Sequence, residues 1–209
     1  MNNEQKTIIY KTIADYNLIA TKFSSTRSSL SQDLIELGKI ARTDDVVLDY
    51  GCGNGRLCQL FNTRNYLGVD PSAELIKLAK TKYSDYHFKL IKPCEIPEGE
   101  SFDIIYCLAV IHHFPDEETQ RQLINGLGGI LKAGGKLVLT AWCLDQSDSI
   151  IEIPFKSGDV TIQRQIFSFS QANLELLTKS SGLQILSSKN TPRNRGVYSN
   201  IEIIAQLIS

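Results

Sequence analysis

Three glycines at alternate positions, set between two aspartates, are the residues best suited to chemistry in this chain. An apolar run ends at Asp49, and Gly51, Gly53 and Gly55 follow at every second position. Glycine has no Cβ and can adopt a positive φ, so the backbone can turn sharply and approach a ligand closely. A second apolar run ends at Asp70. An acid about 20 residues beyond such a turn can accept hydrogen bonds from a ribose hydroxyl pair, so the pattern predicts a nucleoside cofactor site.

Strand-like and helix-like segments alternate along the chain and would hold these residues in place. Strands are expected at 46–50, 66–70, 86–91, 103–108, 136–142, 183–188 and 197–206, and helices at 4–20, 29–42, 55–62, 71–82, 117–131 and 170–181. The alternation predicts an α/β fold with a doubly wound, mainly parallel sheet. The last two strands are joined only by a short turn and should pair antiparallel. The cofactor then belongs at the carboxyl ends of the strands, where Asp49, Asp70 and Cys107 lie.

Two local features add to this outline. The run Lys-Ala-Gly134-Gly135 is typical of a helix C-terminus and should end the helix at 117–131. Residues 144–166, which include Pro154 and Gly158, predict a less regular stretch.

The composition is that of one ordinary globular domain. The chain has 209 residues, 42% of them hydrophobic, and a formal net charge of −1. This charge supplies no global field that would attract nucleic acid, so an RNA site must be a local patch or lie on a partner. No apolar run approaches the roughly 18 residues that span a bilayer, and the N-terminus lacks an apolar signal core. We therefore expect no association with a membrane.

The cysteines favour a reducing, cytoplasmic setting. There are five of them, no Cys-x-x-Cys pair occurs, and several lie in apolar, strand-like surroundings, where cysteine usually serves as a small core residue. No metal site is expected within the chain. His112 and His113 are adjacent, and neighbouring strand residues point to opposite faces, so both cannot easily bind one metal ion.

The glycine segment Asp49-Tyr-Gly-Cys-Gly-Asn-Gly55 resembles the first motif of class I S-adenosylmethionine-dependent methyltransferases, and Asp70 matches the acid that holds the ribose in that family. A dehydrogenase would more often show Gly-x-Gly-x-x-Gly, which this loop lacks. The resemblance implies S-adenosylmethionine as the cofactor and a Rossmann-like, seven-stranded sheet with an antiparallel last strand. We expect a single methyltransferase domain over 1–209, in which residues 1–42 form an N-terminal helical extension over the cofactor cleft.

The same resemblance implies a set of cofactor-binding residues: Asp49, Gly51, Cys52, Gly53, Gly55, Asp70, Pro71, Glu95, Cys107 and Ala109. Cys52 would be a small filler of the loop, and Cys107 would contribute its backbone. Most relatives have an aspartate near the end of the third strand that contacts the adenine amino group. Lys92-Pro-Cys-Glu95 stands there in this chain, so that contact would fall to backbone carbonyls or to Glu95.

A second series of motifs extends along the chain in this order: Tyr16-Asn-Leu-Ile-Ala20, Phe23, Thr26-Arg27, Cys107-Leu-Ala-Val-Ile-His-His-Phe114, Trp142-Cys-Leu-Asp-Gln146 and Ile162-Gln-Arg164. The series resembles the tRNA wobble-uridine carboxymethyl methyltransferases, including the methyltransferase domain of AlkB-like tRNA-modifying proteins. Ile201 departs from their pattern, which has a tryptophan there. The resemblance implies methylation of the carboxylate of 5-carboxymethyluridine in the tRNA anticodon. It also implies a small zinc-binding activator protein as a heterodimer partner, as in the eukaryotic members.

A carboxylate acceptor would need alignment rather than a strong base, because it is already ionised at neutral pH. Arg27 is the candidate that would grip it, since guanidinium pairs with carboxylates in a fork. His112 or His113 would orient the acceptor, and Trp142 would stack on a base or face the sulfonium. Each has an ordinary alternative: Arg27 as a surface residue, one histidine packed inward, and Trp142 as core.

Two other functions fit the same motifs. One is a small-molecule methyltransferase of the same fold, which a lidded apolar pocket would favour over an open, cationic mouth. The other is a cofactor-binding protein without transfer activity.

Four cations could line the final turn and contact the phosphates of an RNA: Lys179, Lys189, Arg193 and Arg195. If an activator is needed, an exposed apolar patch should lie along a sheet edge or its flanking helices.

Overall fold

A computed structural model describes residues 1–157, 160–193 and 198–208, which form five α-helices and nine strands. The helices are α1 Asn3–Ser25, α2 Gln32–Gly38, α3 Ala73–Lys82, α4 Glu117–Gly129 and α5 Gln171–Ser180. The strands are β1 Val47–Tyr50, β2 Tyr66–Asp70, β3 His87–Leu90, β4 Phe102–Leu108, β5 Leu131–Cys143, β6 Ser149–Ser157, β7 Val160–Ser168, β8 Leu183–Arg193 and β9 Tyr198–Leu207. Gly158 and Val197, which fall in the expected segments, lie outside the described residues.

Seven strands form one sheet in the order β3-β2-β1-β4-β5-β9-β8. The pairs from β3 to β5 are parallel, whereas β9 pairs antiparallel with both β5 and β8. The predicted α/β, Rossmann-like sheet, mainly parallel with an antiparallel last strand, is confirmed. The strand order reverses between β1 and β4, and ligands bind in this fold outside the carboxyl ends of the strands at such a point.

The two faces of the sheet are both covered, and the strand residues alternate between them. Leu48 and Ile105 pack into one hydrophobic cluster, which includes residues of α4 and α5. Their neighbours Val47 and Ile104 pack into the other, with residues of α2 and α3. Successive strand side chains point to opposite faces, so a strand covered on both sides is apolar at nearly every position. This explains why the run before Asp49 is continuous rather than alternating.

The expected irregular stretch at 144–166 was wrong, because β6 and β7 form a separate two-stranded antiparallel sheet there. On β7 the buried side chains alternate as Ile162, Arg164 and Ile166. Because the middle residue, Arg164, is charged, the sequence does not show the alternation of apolar and polar residues that is typical of a strand. Pro154 interrupts the other strand, where its missing N–H is tolerated in a sheet with only two strands.

Three expected helix boundaries also differ. The segment after the glycine turn is a short 3₁₀ helix at Arg56–Leu60, and α2 covers only Gln32–Gly38. Helix α4 ends at Gly129 rather than at residue 131. The pair Gly134-Gly135 lies within β5, where a Cβ on Gly135 would be 2.8 Å from the Lys132 carbonyl oxygen. The glycines therefore allow a tight bend in the strand and do not cap a helix.

The first half of helix α1 is anchored to the rest of the domain at two points. Its first turn has a capping box between Asn2 and Gln5, and the Gln5 side chain donates to Asp116 Oδ2 at 2.7 Å. Farther along, Lys11 Nζ donates to the Gln163 carbonyl oxygen of β7 at 2.8 Å. These bonds hold α1 against the start of α4 and the β6–β7 hairpin. In the part of the chain that the structure describes, no helix has both the length and the apolar character needed to cross a membrane.

Candidate active site

A cavity of about 200 Å³ lies at the carboxyl ends of the central strands. Its walls come from α1, the glycine loop, the end of β2, the segment after β4, and single residues of β5 and β7. The predicted site residues that line it are Arg27, Asp49, Gly51, Cys52, Gly53, Asp70, Pro71, Ala109, His112, His113 and Trp142. Residues distant in sequence are thus brought to one cavity by the order of the strands.

Three predicted residues do not line this cavity. Cys107 is wholly buried in the core, and Gly55 lies with its Cα turned towards Phe88, where a Cβ would be 2.6 Å from the ring. The Glu95 carboxylate accepts a hydrogen bond from the Lys92 backbone N–H at 2.9 Å. Pro93 and Cys94 line the cavity instead of Glu95. Any contact of this segment with an adenine would therefore involve the residues just before Glu95.

Gly51 fixes the start of the glycine loop. Its N–H and that of Cys52 donate to the Val69 carbonyl oxygen at 2.8 and 3.0 Å, which ties the loop to β2. Gly51 has a φ of +77°, and a Cβ there would lie 2.2 Å from Val110 Cγ2. The position therefore excludes any other residue on both conformational and steric grounds.

Replacement of Gly51 by alanine should destabilise the fold by about 2–5 kcal/mol, the sum of a strained φ and an overpacked contact. We expect a fall of several degrees in melting temperature, measured by circular dichroism. Gly129→Ala is the matched control, because no atom of the described part of the chain lies within 4 Å of a Cβ at that position. Equal melting temperatures for the two variants would contradict this account of the loop.

Asp70 faces the glycine loop and is held by two backbone donors. Its Oδ2 accepts from the Gly53 N–H at 2.9 Å, and its Oδ1 accepts from the Ser72 N–H at 2.8 Å. Burial raises the pKa of this carboxyl to about 6, although both hydrogen bonds act in the opposite direction. A carboxylate oxygen can accept more than one hydrogen bond, so Asp70 is oriented rigidly and retains acceptor capacity for a ligand.

Asp49 lies near Asp70 but has different hydrogen-bond partners. The Tyr66 hydroxyl donates to Asp49 Oδ2 at 2.7 Å. Burial raises the pKa of Asp49 to about 7, the Tyr66 bond lowers it, and the charge of Asp70 raises it further. Two carboxyl groups with raised pKa values at neighbouring strand ends are typical of a functional site.

His112 is buried and His113 is half-buried, and both are uncharged at neutral pH. Burial lowers the pKa of His112 well below its usual value and that of His113 to about 3, and the Arg164 charge contributes to both. The backbone N–H of Trp142 donates to His112 Nδ1 at 3.3 Å, so the neutral ring carries its proton on Nε2. His113 Nε2 lies 3.1 Å from the Tyr16 hydroxyl. Neither imidazole is therefore a cation that could hold an anion.

The depressed pKa values predict that His112 and His113 do not titrate in the physiological range. Their ring-proton NMR signals should stay constant between pH 5 and 8, because both rings are neutral throughout. The exposed His87 supplies a reference signal in the same sample. A histidine of the cavity whose signal moves through pH 6–7 would show that it gains a proton there and could act as an acid.

The cavity also contains residues that were not among the predicted site residues, and Asn54, Tyr16 and Arg164 are three of them. Asn54, 3% exposed, donates from its amide to the Arg27 carbonyl oxygen and to Ser24 Oγ, both at 3.1 Å. Tyr16 contributes the hydroxyl that meets His113. Arg164 reaches the cavity from β7. Asn54 lies inside the glycine motif, and the other two lie in the second motif series, so the sequence did contain a signal for all three.

Comparison with known proteins identifies the family. Residues 23–188 match the family described as "Methyltransferase domain". This chain belongs to that methyltransferase family. Since the match covers most of the chain, the methyltransferase takes S-adenosylmethionine as its cofactor, as predicted.

Curated relatives of the methyltransferase carry a more specific name. A tRNA (carboxymethyluridine(34)-5-O)-methyltransferase of Arabidopsis thaliana is 31% identical over 135 residues, which cover 64% of this chain and 33% of the plant protein. The protein of the same name from Saccharomyces cerevisiae is 29% identical over 135 residues, which cover 64% of this chain and 48% of the yeast protein. The methyltransferase thus spans between a third and a half of these two relatives.

Solved structures share the fold of the methyltransferase. An S-adenosylmethionine-dependent methyltransferase from Clostridium acetobutylicum superimposes with a TM-score of 0.69 at 16% identity, covering 93% of this chain and 99% of the other. The 1,6-didemethyltoxoflavin-N1-methyltransferase of Burkholderia thailandensis gives a TM-score of 0.75 at 15% identity, covering 100% and 92%.

The cavity of the methyltransferase fits this cofactor. Gly53 has a φ of +55°, and among the described residues a Cβ there would meet only Phe23 within 4 Å, at 3.7 Å. The loop thus leaves room beside the N–H groups that could cradle a ligand, and Asp70 offers oriented carboxylate oxygens for ribose hydroxyls. When bound, S-adenosylmethionine supplies a methyl group on a positively charged sulfur.

Proposed function

We propose that this chain transfers a methyl group from S-adenosylmethionine to the carboxylate of 5-carboxymethyluridine at the wobble position of tRNA. The observation that carries the proposal is the cationic part of the cavity, where Arg27 and Arg164 lie beside two neutral histidines. A carboxylate acceptor needs a cation to hold it and no base to activate it. Relatives 31% and 29% identical to the chain bear the name of this reaction.

The role of the protein in this reaction is alignment. The Arg27 guanidinium stacks over the Phe23 ring at 3.9 Å, and the Arg27 carbonyl oxygen accepts from Asn54. The hydrogen bond from Asn54 therefore holds the backbone at Arg27 against the glycine loop. This contact fixes the distance between Arg27 and the cofactor site. Correct orientation of two reactants can supply about 7–11 kcal/mol towards the barrier.

A small-molecule methyltransferase remains the second candidate, and α1 is the observation that favours it. Ile9, Thr12, Ile13 and Tyr16 of α1 line the cavity. A helix over an apolar pocket is typical of enzymes that enclose a small acceptor. The same cationic groups would then bind the carboxylate of a metabolite.

Transfer of a labelled methyl group distinguishes these functions. The purified chain is incubated with tritiated S-adenosylmethionine and tRNA from cells that lack the ester, with and without the small zinc-binding activator of the related eukaryotic enzymes. We expect label in tRNA, recovered after digestion as the methyl ester of 5-carboxymethyluridine. Label in free small molecules but never in tRNA would favour the second candidate. Cofactor binding without transfer under any condition would indicate a binding protein.

The partners and location are part of the proposal. The five cysteines are all free, which supports a cytoplasmic protein. Leu90 and Leu186 are exposed on β3 and β8, the two edge strands of the sheet, and either edge could receive an activator protein. A rise in cofactor affinity on adding the activator would support this, and unchanged affinity without co-purification would contradict it.

The cations expected at the final turn give little support to tRNA binding. Lys179 lies 3.7 Å from Glu175, and Lys189 lies 3.9 Å from Glu202. The Arg193 side chain and the whole of Arg195 lie outside the described residues. The tRNA proposal therefore depends on the cavity and the relatives rather than on this turn.

A further inference from the structure

Arg164 is a buried cation in the wall of the cavity. It is 7% exposed, and its Nε is buried without a hydrogen-bond partner. Among residues 1–157, 160–193 and 198–208, no ion pair within 4 Å includes Arg164 or Arg27. Removing a charge from water without a partner is costly, so this arrangement requires an explanation.

The protein contacts of Arg164 only partly stabilise its charge. The guanidinium carbon lies 5.6 Å from the Trp142 ring centroid and 4.9 Å from that of Phe155. Attraction to a ring face uses none of the five N–H donors of arginine. Tyr16 interacts with the guanidinium, but burial raises the pKa of Tyr16, so its hydroxyl is neutral. Most of the donor capacity of Arg164 therefore has no anionic acceptor within the described protein.

The charge of Arg164 also affects other titratable groups of the cavity, which shows that they lie close to it. Burial lowers the pKa values of Arg27, His112 and His113, and the charge of Arg164 lowers them further. Two guanidinium groups, one just beyond α1 and one on β7, thus repel each other across one cavity. The carboxylates that line it, Asp49 and Asp70, are engaged at the glycine loop and with Tyr66. An anion placed between the arginines would relieve this repulsion.

We propose that Arg164 is a specificity-determining residue that pairs with the acceptor carboxylate, together with Arg27, and selects anionic acceptors over neutral ones. This rests on the proposed function in so far as the carboxylate is the group that is methylated. One carboxylate oxygen is held by a guanidinium while the other forms the new bond to the methyl carbon. The carbon–sulfur bond breaks with its electron pair retained by sulfur, so both charges disappear and no proton moves.

The loss of charge has a consequence for the product. The methyl ester is neutral and no longer pairs with Arg164, so the site that selects the acceptor also weakens its hold on the product. Charge-assisted hydrogen bonds contribute about 1.5–3 kcal/mol, which corresponds to a preference of about 10- to 100-fold for the carboxylate over a neutral isostere.

The test compares two nucleosides of nearly the same shape, one with a charged carboxylate and the other with a neutral carboxamide. Binding of 5-carboxymethyluridine and of 5-carbamoylmethyluridine to the S-adenosylhomocysteine-loaded chain is measured by calorimetry or ligand-observed NMR. We expect the wild type to prefer the carboxylate by at least about 10-fold, Arg164→Gln to lose most of this preference because only Arg27 remains, and Arg164→Lys to recover part of it. Cofactor affinity should stay unchanged. Arg121→Gln, an exposed arginine of α4, is the matched control and should behave as the wild type.

Several outcomes would overturn the inference. A wild type that binds the amide as well as the carboxylate contradicts it without any variant, which covers the case in which Arg164→Gln fails to fold. A folded Arg164→Gln variant that keeps the preference contradicts it as well. The preference can be present in a chain that methylates no tRNA, and then the proposed function fails while the inference stands. If tRNA is methylated and the variant keeps the preference, the inference fails alone.

Discussion

Replacing Asp70 with asparagine should lower the affinity for S-adenosylmethionine by about 10- to 100-fold at pH 7.5, because hydrogen bonds to a charged group contribute about 1.5–3 kcal/mol. Asp70 is the oriented, 7% exposed carboxylate at the end of β2, and asparagine has the same shape without the charge. The dissociation constants are measured by isothermal titration calorimetry. Asp85→Asn is the matched control, since Asp85 is exposed.

The hydrogen bonds that we expect between Asp70 and the ribose should also make the cofactor affinity of the wild type depend on pH. Burial raises the pKa of Asp70 to about 6, so the carboxyl is ionised above pH 6 and becomes protonated below it. The ribose hydroxyls donate to the ionised form, so the affinity should fall as the pH drops through 6, and the fall attributable to Asp70 should be absent from Asp70→Asn. Equal affinity of variant and wild type at pH 7.5, with both folded, would remove Asp70 from the cofactor site.

The second large effect concerns the acceptor. Arg27→Gln should lower kcat/KM for the carboxylate acceptor by about 100-fold while cofactor affinity stays unchanged, because it removes a charged grip and the alignment that depends on it. Initial rates of methyl transfer at saturating cofactor give this ratio. Arg42→Gln, an exposed arginine outside the cavity, is the control.

The alternative interpretation of Arg27 makes a different prediction. If Arg27 were only a surface residue, its loss would change the rate by less than about threefold, since exposed charges contribute little. The structure places Arg27 in the cavity wall with its backbone carbonyl bonded to Asn54. Loss of cofactor affinity in Arg27→Gln would instead mean that the variant disturbs the glycine loop through Asn54, and a melting curve would show it.

The parts of the site that the sequence could predict are those that local sequence determines. The glycine loop follows β1 directly, and its conformation requires glycine at Gly51 whatever the rest of the chain does. Asp70 ends β2, and parallel strands place their carboxyl ends at one edge. Local spacing and strand order together therefore predicted, without the structure, that Asp70 and the start of the glycine loop meet at one cavity.

The residues that we propose to contact the acceptor were harder to predict, because long-range contacts bring them to the cavity. Arg164 occupies an inward position of β7 between Ile162 and Ile166, and its charge hid the strand pattern. Asn54 belongs to the glycine motif, but only the tertiary fold brings it to the Arg27 carbonyl oxygen. The expected helix end at Gly134-Gly135 failed for a related reason, since the same residues suit a helix end or a bend inside β5.

The proposed reaction is methylation of a carboxylate that an anticodon presents to this cavity. Methyl transfer is measured with three anticodon stem–loops that are identical except at the wobble base, which is 5-carboxymethyluridine, 5-carbamoylmethyluridine or uridine. We expect that only the first RNA gains a methyl group, as a base-labile ester, and that the reaction needs no added base between pH 6.5 and 8. Methylation of uridine or of the amide, or of none of the three under conditions in which a free carboxylate is esterified, would contradict it.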